Sequence, residues 1–175
     1  MGLTNANMPE KAMIMYVFSI LITFSPKKLT DYSWGGLLFL CHNLENGGKQ
    51  MYVFANPNPH KLITDDCVIR AIALADGKAW DDVYVELMIE GYIEKELPNA
   101  NGVWGQYLVD RGYKRHSLPD TCPMCYTLRQ FCIDHPHGTY IVGTGTHAVC
   151  VLEGDYFDAW DSGQTTPLYY FTLED

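Results

Sequence analysis

Basic side chains are scarce in this chain: 12 Lys and Arg stand against 21 Asp and Glu in 175 residues, a formal charge of −9. A sequence-independent nucleic-acid binder needs a cationic face for the phosphates, so this balance argues against nucleic acid as a partner. Lys27, Lys28, Lys61, Arg111, Lys114 and Arg115 read as solvated surface. Long apolar runs are also missing. The nearest to one, Ala12 to Phe24, is too short to span a bilayer, and no small-residue cleavage site follows it in Ser25-Pro26-Lys27-Lys28. Its β-branched and aromatic residues read as a buried strand, and no membrane partner is expected. Repeats and low-complexity tracts are absent, and 47% hydrophobic residues set the chain apart from disordered proteins. Six cysteines, at 41, 67, 122, 125, 132 and 150, are few for a chain larger than the small disulfide scaffolds. Reduced thiols in a cytoplasmic setting follow as the expectation.

What is present suits one complete core with an N-terminal elaboration. Residues 1–50 carry a strand pattern around Met13 to Thr23, an apolar run Leu37 to Leu40 and turn chemistry at Asn46-Gly47-Gly48, but no catalytic pattern. They are expected to form a β-rich elaboration of unread role, ahead of a second domain over 51–175. Met51 to Phe54 reads as a short strand, and Asn56-Pro57-Asn58-Pro59 is extended because each proline pushes its predecessor out of the helical region. From Asp65 the pattern becomes helical. Asp65 or Asp66 can cap a helix that runs to Ala75 and ends at Asp76-Gly77; a second starts at Trp80, a third spans Val103 to Arg111, and a fourth spans Tyr126 to Asp134 before Pro136. After Gly138 the period shortens to that of strands: Thr139 to Val142, His147 to Leu152, Tyr156 to Trp160 and Leu168 to Thr172. Helices first and an antiparallel sheet afterwards is an α+β layout.

The residues with the most chemistry are Cys67, His147 and a carboxylate near Trp160. Cys67 opens an apolar-periodic helix, where backbone N–H groups and the helix dipole favour a thiolate. A nucleophilic cysteine also needs a base within hydrogen-bond reach and a third group that orients the imidazole. His147 opens a strand run, followed by Phe157-Asp158-Ala159-Trp160-Asp161-Ser162-Gly163. If Glu153-Gly154-Asp155 makes a three-residue turn, His147 lies opposite Asp161; a two-residue turn at Glu153-Gly154 puts Trp160 opposite and leaves Asp158 or Ser162 diagonal. Asp161 is the expected orienting residue and Asp158 the reserve. A lone cysteine is more often a small buried helix residue than a nucleophile, and it is the order thiol, imidazole, carboxylate that raises Cys67 above that.

Asp66-Cys67-Val68-Ile69-Arg70-Ala71, His147-Ala148-Val149 and Trp160-Asp161-Ser162-Gly163 together resemble the papain-like cysteine peptidase superfamily. Within it the pattern is similar to peptidases that process double-glycine leader peptides and to phage and bacterial relatives of these, over about Asn56 to Phe171. The resemblance implies a papain-like α+β fold, with the nucleophile on an N-terminal helical part and His and Asp on the sheet. It implies Cys67 as nucleophile, His147 as general base and Asp161 as orienting residue, acting on a peptide or protein substrate through an acyl-thioester, without cofactor or metal. Where the family carries a glutamine about six residues before the nucleophile, this chain has Lys61, and Asn58 and Asn56 are the nearby amides left as oxyanion donors. Two other readings stand beside this one. A related cell-wall amidase shares the aspartate before its nucleophile but uses a second histidine, and none follows His147. A weak or inactive binding module, such as a phage structural or host-interaction protein, is favoured by the missing glutamine and by the unmatched first fifty residues; its place would be the virion. Oligomeric state is not legible.

Three further signals are weighed and set aside. Cys122-Pro123-Met124-Cys125 is a C-x-x-C with Cys132, His116, His135 and His137 nearby, but without a second pair it is weak evidence for zinc. Trp80 and Trp104 read as core aromatics, and Trp160 as a shield over the His147 to Asp161 hydrogen bond. Cys150, an odd number of residues from His147 on the same run, is expected to point away from the site.

Overall fold

A computed structural model describes residues 51–121 and 124–174. Contacts divide the chain between Gly47 and Gly48, and the described residues belong to the second unit. The expected strand at 13–23, the apolar run at 37–40, the turn at 46–48 and the cysteine at 122 lie outside the described residues.

Among the described residues the chain forms four helices and one six-stranded sheet. In chain order these are β1 (Tyr52–Phe54), α1 (Cys67–Asp76), α2 (Trp80–Glu94), α3 (Asn101–Val109), β2 (Tyr113–Ser117), α4 (Leu128–Asp134), β3 (Thr139–Gly143), β4 (Ala148–Leu152), β5 (Asp155–Asp158) and β6 (Tyr169–Leu173). The sheet order is β1-β5-β4-β3-β6-β2. The α+β layout is as the periodicity suggests, with two differences. The sheet is mixed, because β1 joins its edge parallel to β5, Val53 opposite Phe157. And β2, which no alternation announces, forms the other edge antiparallel to β6. Tyr113 is its one buried residue, so the sequence Tyr-Lys-Arg-His-Ser shows no apolar face to read.

Alternation along the central strands splits the core into two layers. Ala148 and Cys150 of β4 face α1, α2 and α3 with Ile72, Leu87, Trp104, Tyr107 and Phe171. Val149 and Val151 face the other way, against Leu128, Phe131 and Cys132 of α4 and Tyr156 of β5. Each fully buried aliphatic or aromatic side chain of this kind is worth about 1.5–3 kcal/mol of transfer free energy. The α1 helix lies on β4, and that packing fixes its first residue against the start of that strand. α1 ends as read from the sequence, on Gly77 in the left-handed region at φ 63°, with its N–H returned to the Ala73 carbonyl.

The hairpin between β4 and β5 overturns the expected register. Leu152 pairs with Asp155, Val151 with Tyr156 and Cys150 with Phe157, so only Glu153 and Gly154 form the turn. Both have positive φ, 48° and 80°, the backbone of a type I′ turn whose twist matches that of the flanking strands. A two-residue turn shifts β5 by one residue relative to the three-residue alternative. Continued to the site, that register brings Trp160 rather than Asp161 opposite His147.

Candidate active site

Cys67, His147 and Asp158 meet at one end of the sheet because each stands at an element boundary there. Cys67 is the first residue of α1, His147 immediately precedes β4, and Asp158 closes β5, which runs antiparallel to β4. His147 Nε2 lies 2.6 Å from Asp158 Oδ2, and the His147 side chain also hydrogen-bonds the Cys67 thiol. Asp158 is 3% exposed, and its second oxygen accepts from the Ala159 backbone N–H at 2.7 Å.

The electrostatics follow from those contacts. Burial is the largest influence on Cys67 and would raise its pKa; the His147 hydrogen bond, the Ala148 backbone N–H and the charges of His147 and Arg70 outweigh it, leaving the thiol below its ordinary range. Burial likewise works against a charged His147, but the hydrogen bonds and charges of Asp158 and Cys67 prevail and push it up to about 9. A lowered thiol beside a raised imidazole is the arrangement that favours a thiolate–imidazolium pair.

Asp161, the expected orienting residue, is elsewhere. It accepts from the Tyr156 hydroxyl, from Arg129 Nη2 at 2.6 Å and from the Gly163 N–H at 3.1 Å. These partners hold its carboxyl below the usual range, the Tyr156 bond most of all. Tyr156 and α4, which carries Arg129, belong to the layer on the far face of the sheet from α1. The reserve residue Asp158 takes the place by His147 for the reason the hairpin register supplies. Trp160 lies against His147 with ring centroids 5.3 Å apart, so it covers the imidazole, whose bond runs to Asp158.

Neither expected oxyanion amide lines the cleft. Asn58 is buried and gives Nδ2 to Asp66 Oδ2 at 3.1 Å while its Oδ1 accepts from the His60 N–H. Asn56 gives Nδ2 to the Leu62 carbonyl and its Oδ1 accepts from the Asn58 N–H. Lys61, at φ 55°, folds back so that Nζ donates to the Asn56 carbonyl at 2.9 Å. The loop's polar groups are thus spent on shaping it. The backbone N–H of Cys67, first in its helix, has no intrahelical acceptor.

The Asp66 carboxylate does not cap α1, as its position suggested it could. It turns inward to Arg70, one helical turn on, and also accepts from Asn58 and from Trp80 Nε1 at 3.0 Å. Arg70, 4% exposed, reaches Asp158 Oδ1 at 3.8 Å as well. One buried guanidinium therefore ties the residue before the thiol to the carboxylate behind the imidazole. The spacing Asp66 to Arg70 was the available sequence signal, an i to i+4 pair, but such pairs usually lie on solvated faces.

A cleft of about 380 Å³ opens over Cys67 and His147. Ile63, Thr64 and Asp65 line it, together with Asn99, Asn101, Trp104, Gly145, Thr146 and Trp160. Asn101 gives Nδ2 to the Gly145 carbonyl at 3.1 Å and accepts from Trp104 Nε1 at 3.1 Å, which ties the loop that carries His147 to the start of α3. Of the remaining cysteines described, Cys150 is fully buried in the α1 layer with its pKa raised by burial, and Cys132 lies under α4 with burial pushing it up to about 12. Cys125 is exposed. No cluster of three or more His, Cys, Asp or Glu side chains among the described residues is arranged to hold a metal ion, and no described helix is long and apolar enough to cross a membrane.

No family model matches the chain, and no curated protein or solved structure is significantly similar to it.

Proposed function

We propose that this chain is a papain-like cysteine hydrolase that cleaves peptide or related amide bonds, with Cys67 as nucleophile, His147 as general acid and base and Asp158 as orienting carboxylate. The observation that supports this most is the unbroken contact from Asp158 through His147 to a thiol of lowered pKa at the foot of a cleft. In the first half-reaction the thiolate attacks the carbonyl carbon, the carbonyl π electrons move to oxygen, and the Cys67 N–H donates to that oxyanion. Collapse breaks the C–N bond as His147 gives its proton to the departing amine, leaving an acyl-thioester. Water then attacks, His147 takes its proton, the C–S bond breaks and the acid leaves. Asp158 stabilises the imidazolium in both halves and holds its ring plane.

A second reading is favoured by one observation: no side-chain amide of the Asn56 to Lys61 loop lines the cleft. Loss of one oxyanion donor costs about two to three orders of magnitude, and a slow enzyme or a binding module of the same fold would result. Both readings are tested by incubating the protein with a broad peptide and isopeptide library and, in parallel, with a neutral thiol-directed probe. The hydrolase reading expects turnover and selective modification at Cys67, both lost in Cys67→Ala. No turnover, together with labelling of Cys67 no faster than of exposed Cys125, would leave the binding module.

A further inference from the structure

The charges around the cleft do not balance. Asp65, Asp66 and Asp158 bring three carboxylates, and among the described residues Arg70 is the single guanidinium or ammonium lining it. The Cys67 thiolate and His147 imidazolium cancel. Asp66 and Asp158 share Arg70, and Asp66 spends its remaining capacity on Asn58 and Trp80. Asp65 has neither hydrogen-bond nor ion-pair partner among the described residues, is exposed, and lines the cleft two residues before the thiol. The amides of Asn99 and Asn101, which also line the cleft, are neutral, so no described residue lining it offsets Asp65.

The apolar groups at the same opening have a fitting shape. Ile63 is 74% exposed and Trp160 47% exposed, and both line the cleft. An exposed apolar rim beside one unpartnered carboxylate matches a side chain with a hydrocarbon stem and a cationic head. A half-exposed indole adds attraction for that same cation. An acidic substrate group would instead meet uncompensated negative charge, and a short neutral one would leave the rim in water.

We propose that Asp65, with Ile63 and Trp160, makes this cleft selective for amide substrates that carry a lysine or arginine side chain next to the bond attacked. The inference rests on the hydrolase reading for its chemistry, but the charge selection can be read without turnover. Methanethiosulfonate reagents form a mixed disulfide with any accessible cysteine and release a sulfinate, so the rate at Cys67 is measurable even for an ordinary thiol. Cationic, neutral and anionic reagents of similar size are compared on the full chain, with modification at Cys67 followed by peptide mapping. Wild type should react faster with the cationic than with the anionic reagent by about tenfold or more. Asp65→Asn should reduce that ratio about tenfold and Asp65→Lys should invert it, while Asp82→Asn, an exposed charge outside the cleft on α2, should leave it as it is. In peptide hydrolysis, the ratio of kcat/KM for lysine-containing over matched neutral peptides should fall about tenfold in Asp65→Asn. A ratio of reagent rates that is near unity in wild type, or indifferent to Asp65, overturns the proposal. Turnover of peptides without cation preference overturns it and spares the hydrolase, whereas a reagent ratio set by Asp65 with no turnover of any peptide supports the cation selection and removes the hydrolase.

Discussion

The Cys67 thiol is pulled in two directions, burial favouring the neutral form and His147, Arg70 and the Ala148 amide favouring the anion, and the second set prevails. The consequence is a pH window. His147, raised to about 9, contributes as an imidazolium fully below its ordinary value of 6.5 and loses that contribution as pH rises through about 9. Cys67, depressed below 9.0, contributes as a thiolate above that ordinary value and loses the contribution as pH falls through its lowered one. Alkylation of Cys67 by a neutral reagent should therefore show a midpoint below 9.0, and His147→Ala should move the midpoint upward, because burial stays while its opponent is removed. An unmoved midpoint would mean that the imidazole does not activate the thiol. Hydrolysis sorts the two candidate carboxylates. On the proposed hydrolase reading, Cys67→Ala and His147→Ala should each reduce kcat by several orders of magnitude, since members of a catalytic unit fail together. Asp158→Asn should cost about 10²–10⁴-fold, whereas Asp161→Asn, changed at Tyr156 and Arg129, should cost less than about tenfold. Equal losses at the two aspartates would argue against the assignment to Asp158.

At the scale of elements, α1 is anchored to the sheet by a charge as well as by its apolar face. Arg70 is buried between Asp66, the residue just before its helix, and Asp158 of β5. Removing the cation takes the shared counter-charge from two buried carboxylates, and Arg70→Met should cost about 3–5 kcal/mol of unfolding free energy, read as a fall in the denaturant midpoint. Near-wild-type stability with full thiol activation would show that the guanidinium is dispensable. The partner of β3 imposes another constraint. At Gly143 a Cβ would run into the Tyr169 ring of β6, which is the residue paired across the ladder. Gly143→Ala should destabilise by about 1–3 kcal/mol through overpacking. Trimming the ring with Tyr169→Leu in the same chain should recover part of that loss; an additive result would place the strain elsewhere. The elements themselves were largely legible. Cys67 to Ala75, Trp80 onward and the four strands after Gly138 show clear periods, whereas β2, an edge strand with one buried residue, carries no pattern that a period of two could reveal.

For the molecule as a whole, a test of selectivity among thiols summarises the arrangement of layers. Cys150 is sealed in one layer and Cys132 in the other, each with its pKa raised by burial, while Cys67 is half-buried at the cleft. A limiting amount of neutral thiol probe near pH 7 should modify Cys67 first, and Cys150→Ala should leave that rate unchanged. Preferential labelling of Cys150 or Cys132 would contradict the layer assignment. By itself the sequence determined the class of the fold, the boundary position of Cys67 and the candidacy of His147, because these depend on local period, helix-start chemistry and residue type. It could not choose between Asp161 and Asp158. That choice hangs on one residue of hairpin length, and Glu153-Gly154 closes the turn through two positive φ values that a glutamate seldom adopts. Nor could it show that Asn56 and Asn58 turn their amides into their own loop, or that Asp66 leaves the helix end for Arg70. Those outcomes depend on which polar groups are buried together, and burial is a property of packed layers that only the tertiary structure decides.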